Sequence, residues 1–188
     1  DKIIKTNNAS LTAMIENILM FSRIESGRIQ YVKEEFSVPE LIQEIAQEWR
    51  DIVPDGIVFE TLAMRKDVYI YNDRQRIKYI LGQLLSNAFK FTSSGSVAVG
   101  LHYSLNNDTA TIFVTDSGRG LSKAKVDIVY DLFWKDDGFT PGLGLGLTVA
   151  RKLADGMGVK LRFESKKGFG SNVALISNAC LKRPEDNT

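Results

Sequence analysis

The sequence predicts an α+β fold: a two-layer α/β sandwich, with a mixed sheet and helices on one face, preceded by an N-terminal coiled-coil-like helix. Three observations predict it. Helical and strand periods are mixed along the chain without strict alternation, which argues against a purely parallel sheet. Apolar residues at steps of three, four and seven mark helices, and alternating or short apolar runs bounded by turn residues mark strands. The length of 188 residues allows one core of ordinary size plus an extension.

Residues 2–25 read as a helix with one apolar stripe: Ile4, Leu11, Met14, Ile15, Ile18, Leu19 and Phe21. A lone helix of this length is marginal in water, so it must pack on something. The spacing suits a two-helix or four-helix coiled arrangement. Folding back on its own domain is the other reading, and Asn7 and Asn8 on the stripe suit a bundle seam or a frayed end. Gly27 ends this helix, and Ile29–Phe36 alternates as a strand with one buried face. Ser37 is a good N-cap and Pro39 fits a first turn, opening a helix that buries Leu41, Ile42, Ile45, Ala46 and Trp49. Ile57–Leu62 and Val68–Tyr71 read as short strands. Asp73 caps a long helix running to about Phe91. Val97–Tyr103 and Thr109–Thr115 form a hairpin around Asn106-Asn107-Asp108. A helix near Gly146–Met157 and strands at Val159–Ser165 and Ser171–Ile176 close the domain. The segment from Ala179 reads as a polar tail or linker. The expected division is therefore 1–27, 28–178 and 179–188.

Composition sets the class. Hydrophobic residues make up 44% and charged residues 25%, as in a soluble globular domain. With a net charge of +1, charge alone gives no indication of an acidic polymer or a membrane surface as partner. No apolar run approaches the ~18 residues that span a bilayer. With Cys180 as the single cysteine, no disulfide can form within the chain, which fits a reducing compartment. The chain opens on Asp1 without a Met and is expected to be a piece of a longer polypeptide.

Four stretches carry candidate chemistry. Gln83, Asn87 and Lys90 share one face of the long helix, opposite Ile77, Ile80, Leu81, Leu84, Leu85 and Ala88. An Asn carbonyl is a hard oxygen donor suited to Mg²⁺, which usually keeps waters and bridges substrate phosphates. A lysine one turn on adds positive charge; a plain solvated face is the other reading. In Val114-Thr115-Asp116-Ser117-Gly118-Arg119-Gly120-Leu121 a strand ends in an aspartate that can accept from an exocyclic amine, and the glycines let backbone approach a flat ring. Turns also contain such residues. Gly142-Leu143-Gly144-Leu145-Gly146-Leu147 leads into a helix, where freed N–H groups and the helix N-terminus favour an anion. A flexible hinge is its alternative. It lacks both the dinucleotide-fold spacing and the Lys-Ser/Thr ending of a P-loop. Trp134–Pro141, between the last two, reads as a lid over a ligand or an ordinary loop.

In this order and spacing, the stretches resemble the histidine-kinase branch of the GHKL ATPases, the superfamily of gyrase, heat-shock and MutL-type ATPases. Leu84-Leu85-Ser86-Asn87-Ala88-Phe89-Lys90-Phe91-Thr92 is similar to the family's N box, Asp116–Gly120 to the G1 box, Tyr130–Phe133 to the F box and Gly142–Leu147 to the G2 box. Gly168-Phe169-Gly170-Ser171 resembles the late Gly-x-Gly-Ser/Thr turn. Phe21-Ser22-Arg23-Ile24-Glu25-Ser26-Gly27 resembles the end of the second dimerisation helix.

The resemblance implies a Bergerat-type ATP-binding catalytic domain that transfers the γ-phosphoryl group of Mg-ATP to a histidine, for relay to a response-regulator aspartate. It implies that Asn87 binds Mg²⁺, Lys90 contacts phosphate, Phe91 lies against adenine and Asp116 accepts from the adenine amino group. Gly118 and Gly120 belong beside the ring. Lys135 matches a basic position that reaches phosphate. Gly142, Gly144 and Gly146 line the phosphates, and Leu145 and Leu147 anchor the following helix. Gln83 stands where the family usually has a first Asn, Leu143 where a Thr or Ser is frequent, and Ala124 where an acidic residue is usual. His102, the single histidine, lies in a predicted strand outside any acceptor motif. The acceptor helix is expected upstream of Asp1, on the same or a partner subunit. A homodimer, a cytoplasmic location beneath a membrane-bound sensor and no nucleic-acid partner complete the expectation. The alternatives are a degenerate nucleotide-binding module, a conformational ATPase of the chaperone or gyrase type, and a pure dimerisation piece.

Overall fold

The computed structural model of the protein describes residues 2–62, 65–131 and 144–181, with side chains from Leu11 onward. The elements run α1 (Lys2–Glu25), β1 (Glu34–Ser37), α2 (Val38–Arg50), β2 (Ile57–Leu62), β3 (Val68–Asn72), α3 (Arg74–Phe91), β4 (Gly95–Ser104), β5 (Thr109–Asp116), α4 (Lys123–Val126), α5 (Gly146–Met157), β6 (Lys160–Lys166), β7 (Gly170–Asn178) and β8 (Cys180–Leu181). A five-stranded sheet has the order β2-β4-β5-β7-β6, and a three-stranded one the order β1-β3-β8. Among the described residues, only the β2–β4 pairing is parallel. The sheet is mixed, as expected.

Capping explains where the helices begin and stop. Ser37 Oγ accepts from Glu40 N at 3.3 Å, with Pro39 in the first turn of α2. Asp73 Oδ1 accepts from Arg76 N at 3.0 Å to start α3, while its other oxygen accepts from Val32 N at 2.9 Å. Gly158, at φ 72°, ends α5 in the left-handed conformation.

Strand parity builds the core. Val97, Val99 and Leu101 of β4, Ala110, Ile112 and Val114 of β5, and Val173 and Leu175 of β7 are buried. Alternate residues point to one face, and α3 covers that face with Ile77, Ile80, Leu81, Leu84 and Leu85. Trp49 of α2 stacks on Phe89 at 5.6 Å between centroids, and Phe59 meets the same ring edge-on at 5.3 Å. Glu44 of α2 pairs with Arg74 and Lys78 of α3, a half-exposed network of modest value.

Three segments differ from the sequence expectation. Residues 29–33 are not strand; Tyr31 instead packs over α5, where a Cβ on Gly156 would come 2.1 Å from its hydroxyl. Their alternation reflects a strap lying over a helix rather than a ladder. The segment read as a tail from Ala179 contributes β8, which pairs with β3 at Val68↔Leu181 and Tyr69↔Cys180. Helix α1 carries two apolar faces rather than one stripe. Met20 is buried and Phe21 and Ile24 pack on the core, whereas Leu11, Ile15, Ile18 and Leu19 are exposed. An ion pair of Glu25 with Lys152 at 2.7 Å fixes the helix end to α5.

Asp73 serves two backbone donors while almost fully buried, at 4% exposure. Asp73→Ala is expected to destabilise the fold by about 1–3 kcal/mol, read as a lower urea midpoint with an unchanged slope.

Candidate functional site

The strand parity that fills the core also places a carboxylate at its edge. Counting along β5, Ile112 and Val114 face the helix layer and Asp116 follows them on the same side. Asp116, the last two turns of α3 and the loop after β5 enclose a cleft of about 580 Å³, counting the space open to solvent at its mouth. Asn87, Phe91, Asp116, Gly120 and Leu147 all line it. The structure thus brings five sequence-selected residues, from α3, β5, its loop and α5, around one cavity.

Glycines permit the close packing of its walls. A Cβ on Gly118 would stand 2.4 Å from the Phe91 carbonyl oxygen, and one on Gly170 would stand 1.8 Å from the Asp116 carbonyl oxygen. Gly120 has φ 58° and leaves no space against Lys166. The β6–β7 turn therefore holds the loop after β5: Gly168 N donates to Arg119 O at 2.7 Å, and Leu121 N donates to Ser165 Oγ at 2.8 Å.

Asp116 Oδ1 accepts from Gly118 N at 2.9 Å, and the Ser171 backbone also donates to this carboxyl group. Burial dominates all the same and pushes its pKa above the usual carboxylate range. Asn87 offers an amide whose polar atoms bond to no described residue. The rest of the lining is largely apolar, with Leu84, Ala88, Val114 and Val173 among it. A mostly apolar cleft with a few convergent polar groups suits a flat, partly polar ligand.

The remaining predicted residues stand apart from the cavity wall. Lys90 is exposed, with its ammonium 5.3 Å from the centre of the Phe91 ring. Gly118 supplies the amide to Asp116 from behind the wall. Gly144 has φ 70° and Gly146 opens α5. Leu145, at the N-cap of α5, makes no side-chain cap, so the first-turn amides are not capped by it. Gln83 is not in the wall. Its Oε1 accepts from Asn17 Nδ2 of α1 at 3.2 Å and stands 2.8 Å from where a Cβ on Gly146 would be. Lys135, Gly142 and Leu143, and the segment Trp134–Pro141, lie outside the described residues. His102 is exposed on β4 opposite Thr111.

Sequence reading missed Arg119, which lines the cleft with its guanidinium 5.0 Å from the centre of the Phe91 ring. It also missed Phe163 and Val173 from β6 and β7, and named Ser171 only as part of the late glycine turn, without a place in the site. Strand parity carries the signal: Phe163 and Val173 are cross-strand partners on the same face as Val114.

Residues 72–178 match the family model described as histidine kinase-, DNA gyrase B- and HSP90-like ATPase. The autoinducer 2 sensor kinase/phosphatase LuxQ of Vibrio parahaemolyticus is 30% identical over 92% of this chain and 21% of its own length. The sensor histidine kinase RcsC of Salmonella typhimurium is 32% identical over 90% of this chain and 18% of its own. The chain thus spans about a fifth of the length of these curated relatives. Among solved structures, full-length ShkA in complex with AMPPNP superposes with a TM-score of 0.79 at 19% identity, over 96% of this chain and 38% of that one. The catalytic domain of the histidine kinase ThkA gives 0.68 at 24% identity, over 80% and 96%. At these identities the two structures establish the shared fold.

Because burial raises the Asp116 pKa, the native state holds that proton more tightly than the unfolded chain does. Its contribution to stability is greatest in acid and is lost as pH rises through the native pKa. At neutral pH the buried carboxylate therefore opposes folding. Asp116→Asn keeps the shape and an acceptor for Gly118 without the charge. It is expected to raise the melting temperature at neutral pH, with the advantage vanishing below about pH 3.5. An advantage independent of pH would show that charge burial is not its source.

Proposed function

The chain belongs to the family of histidine kinase-, DNA gyrase B- and HSP90-like ATPases, and on that premise we propose that it is the ATP-binding catalytic part of a two-component sensor histidine kinase. In this reading it transfers the γ-phosphoryl group of ATP to a histidine outside these residues, from which a response-regulator aspartate takes it. The observation that carries the proposal is the shared cleft, with the Asp116 carboxylate at the end of β5 and the Asn87 amide on α3.

The residues divide the ligand between them. Asp116 accepts from the adenine amino group, with Gly120 beside the ring and Phe91 and Arg119 at its edge. Lys90, and Lys135 in the same proposal, add positive charge for the phosphates. The entrance to α5 at Gly142, Gly144 and Gly146 presents backbone amides to anionic oxygens. The donor set also fits Mg²⁺. Asn87 would give Mg²⁺ one hard oxygen, with phosphate and water among its other ligands. Mg²⁺ there would neutralise charge on the phosphates. The chain's own residues position the γ-phosphate, and positioning with electrostatic stabilisation is most of what such transfer requires. A neutral imidazole is already a nucleophile, so no general base is assigned.

The division into a second dimerisation helix (1–27) and a catalytic domain that runs from residue 28 through β8 belongs to the same proposal, as do homodimerisation and a cytoplasmic location. Among the described residues no helix is long and apolar enough to cross a membrane. Gln83, held by Asn17, favours one second reading, a nucleotide-binding module without productive transfer. Mixing the chain with an acceptor-helix fragment and labelled ATP separates the two: label on histidine supports the kinase, and ATP binding without label supports the module. Substantial steady-state hydrolysis abolished by Gln83→Ala would instead indicate a conformational ATPase.

Asn87→Ala and Asp116→Ala are each expected to abolish measurable ATP binding by calorimetry, a loss of roughly 30-fold or more, while circular dichroism stays that of the parent. ATP at millimolar concentration is expected to raise the parent's melting temperature and leave both variants unmoved. Unchanged affinity in both variants would refute the site.

A further inference from the structure

The polar rim of the cleft is one cross-strand row. Asp116 of β5 pairs with Ser171 of β7, and Ser171 pairs with Ser165 of β6. The next row inward on the same face is Val114, Val173 and Phe163. Packing holds that inner row. The rim row, a carboxylate and two serines, has to be held by hydrogen bonds, and three of them meet at one atom. Ser165 Oγ accepts from Leu121 N at 2.8 Å, bonds to Gly170 O at 2.9 Å and lies 2.9 Å from Ser171 Oγ. Whichever serine donates in the last pair, the same three groups are tied to the Ser165 hydroxyl.

Each of those groups bears on the cleft. Leu121 and Ser171 line it, Gly170 lies directly against the Asp116 carbonyl, and the Ser171 backbone donates to the Asp116 carboxyl group. Ser165 itself is not part of the wall, and its strand comes last in the order of the five-stranded sheet. Resting on the nucleotide reading above, we propose that Ser165 is a positioning residue that sets specificity for the base: by tying Leu121, Gly170 and Ser171 to one hydroxyl, it keeps the Asp116 carboxylate in register with the exocyclic amino group of adenine. Without that hydroxyl, the start of β7 loses its side-chain tie to β6 and to the loop after β5. A hydrogen bond weakens steeply with angle, whereas apolar cover of the ring by Leu84 and Val173 is non-directional. The loss therefore falls on reading the amino group rather than on holding the ring.

The test compares ATP with purine riboside triphosphate, the same nucleotide without the amino group. Both are titrated with Mg²⁺ into the 188-residue chain by calorimetry, well below its melting temperature. The parent is expected to prefer ATP roughly tenfold or more, the worth of one hydrogen bond to a charged acceptor. Ser165→Ala and Ser165→Val are each expected to cut that preference roughly threefold to fivefold, a partial loss of the same bond. Ser165→Thr has the shape of the valine variant but restores the hydroxyl, and is expected to keep the parent preference within about twofold. A residue that only stabilises the strand pair would lower the melting temperature in the hydroxyl-free variants and leave the preference unmoved. That outcome, or a preference lost equally in Ser165→Thr and Ser165→Val, would overturn the proposal. If the parent prefers ATP and both hydroxyl-free variants keep that preference, this inference alone fails. A parent that binds both nucleotides equally refutes the role of Asp116 and this inference with it, and one that binds neither refutes the whole site reading.

Discussion

Helix α3 has to lie on the inner face of the five-stranded sheet in one rotational setting, and the site inherits its geometry from that seat. Ile77, Ile80, Leu81, Leu84 and Leu85 are at most 2% exposed. Burial of each such side chain stabilises by about 1.5–3 kcal/mol, so the helix cannot roll without forfeiting several at once. A shift of one residue would rotate the helix by about 100° and carry Asn87 away from Asp116. The apolar stripe thus acts as the register mark for the polar one. Leu84 and Ala88 belong to both, packing in the core and lining the cleft.

The cleft is a place where the core is left unfinished. Layers of Val114, Val173 and Phe163 end without a further apolar layer, and Asp116 occupies the rim. A carboxylate there is disfavoured by desolvation and only partly offset by backbone amides from Gly118 and Ser171. A ligand with a flat apolar body and one donor at its edge would cover the apolar wall and satisfy the carboxylate together. The polar requirement and the unfilled apolar surface therefore select the same shape of molecule, and neither residue type alone would do so.

Much of this was legible along the chain, and the exceptions share a cause. Asp73, Ser37 and Gly158 mark helix ends by local hydrogen bonding, so α2, α3 and α5 could be delimited without tertiary information. Asn87 and Asp116 stand out because each sits at a phase defined by its own element. Arg119 did not, because a charged residue inside a glycine-rich loop reads as solvent-facing until the loop is known to curl over Phe91. The β6 and β7 wall was invisible for a different reason: Phe163 and Val173 join the cleft only through pairing with β5. The alternation of Ile29 and Tyr31 misled because a strap over a helix and a half-buried strand share a period. Met20 was passed over because its burial depends on where α1 comes to rest.

The approach of Gly170 to Asp116 has a further implication for how substitutions would sort. Gly170 does not line the cleft, has φ 96°, and leaves no space for even one methyl group against the Asp116 backbone. Any side chain there would push on the peptide that carries the carboxylate rather than on the ligand. In a saturation screen scored by function, this turn glycine would rank with the binding residues themselves, whereas cleft-lining Leu84 or Val173 would accept similar apolar replacements. The map of intolerance would thus trace the backbone that aims the carboxylate, and would outline the ligand only indirectly.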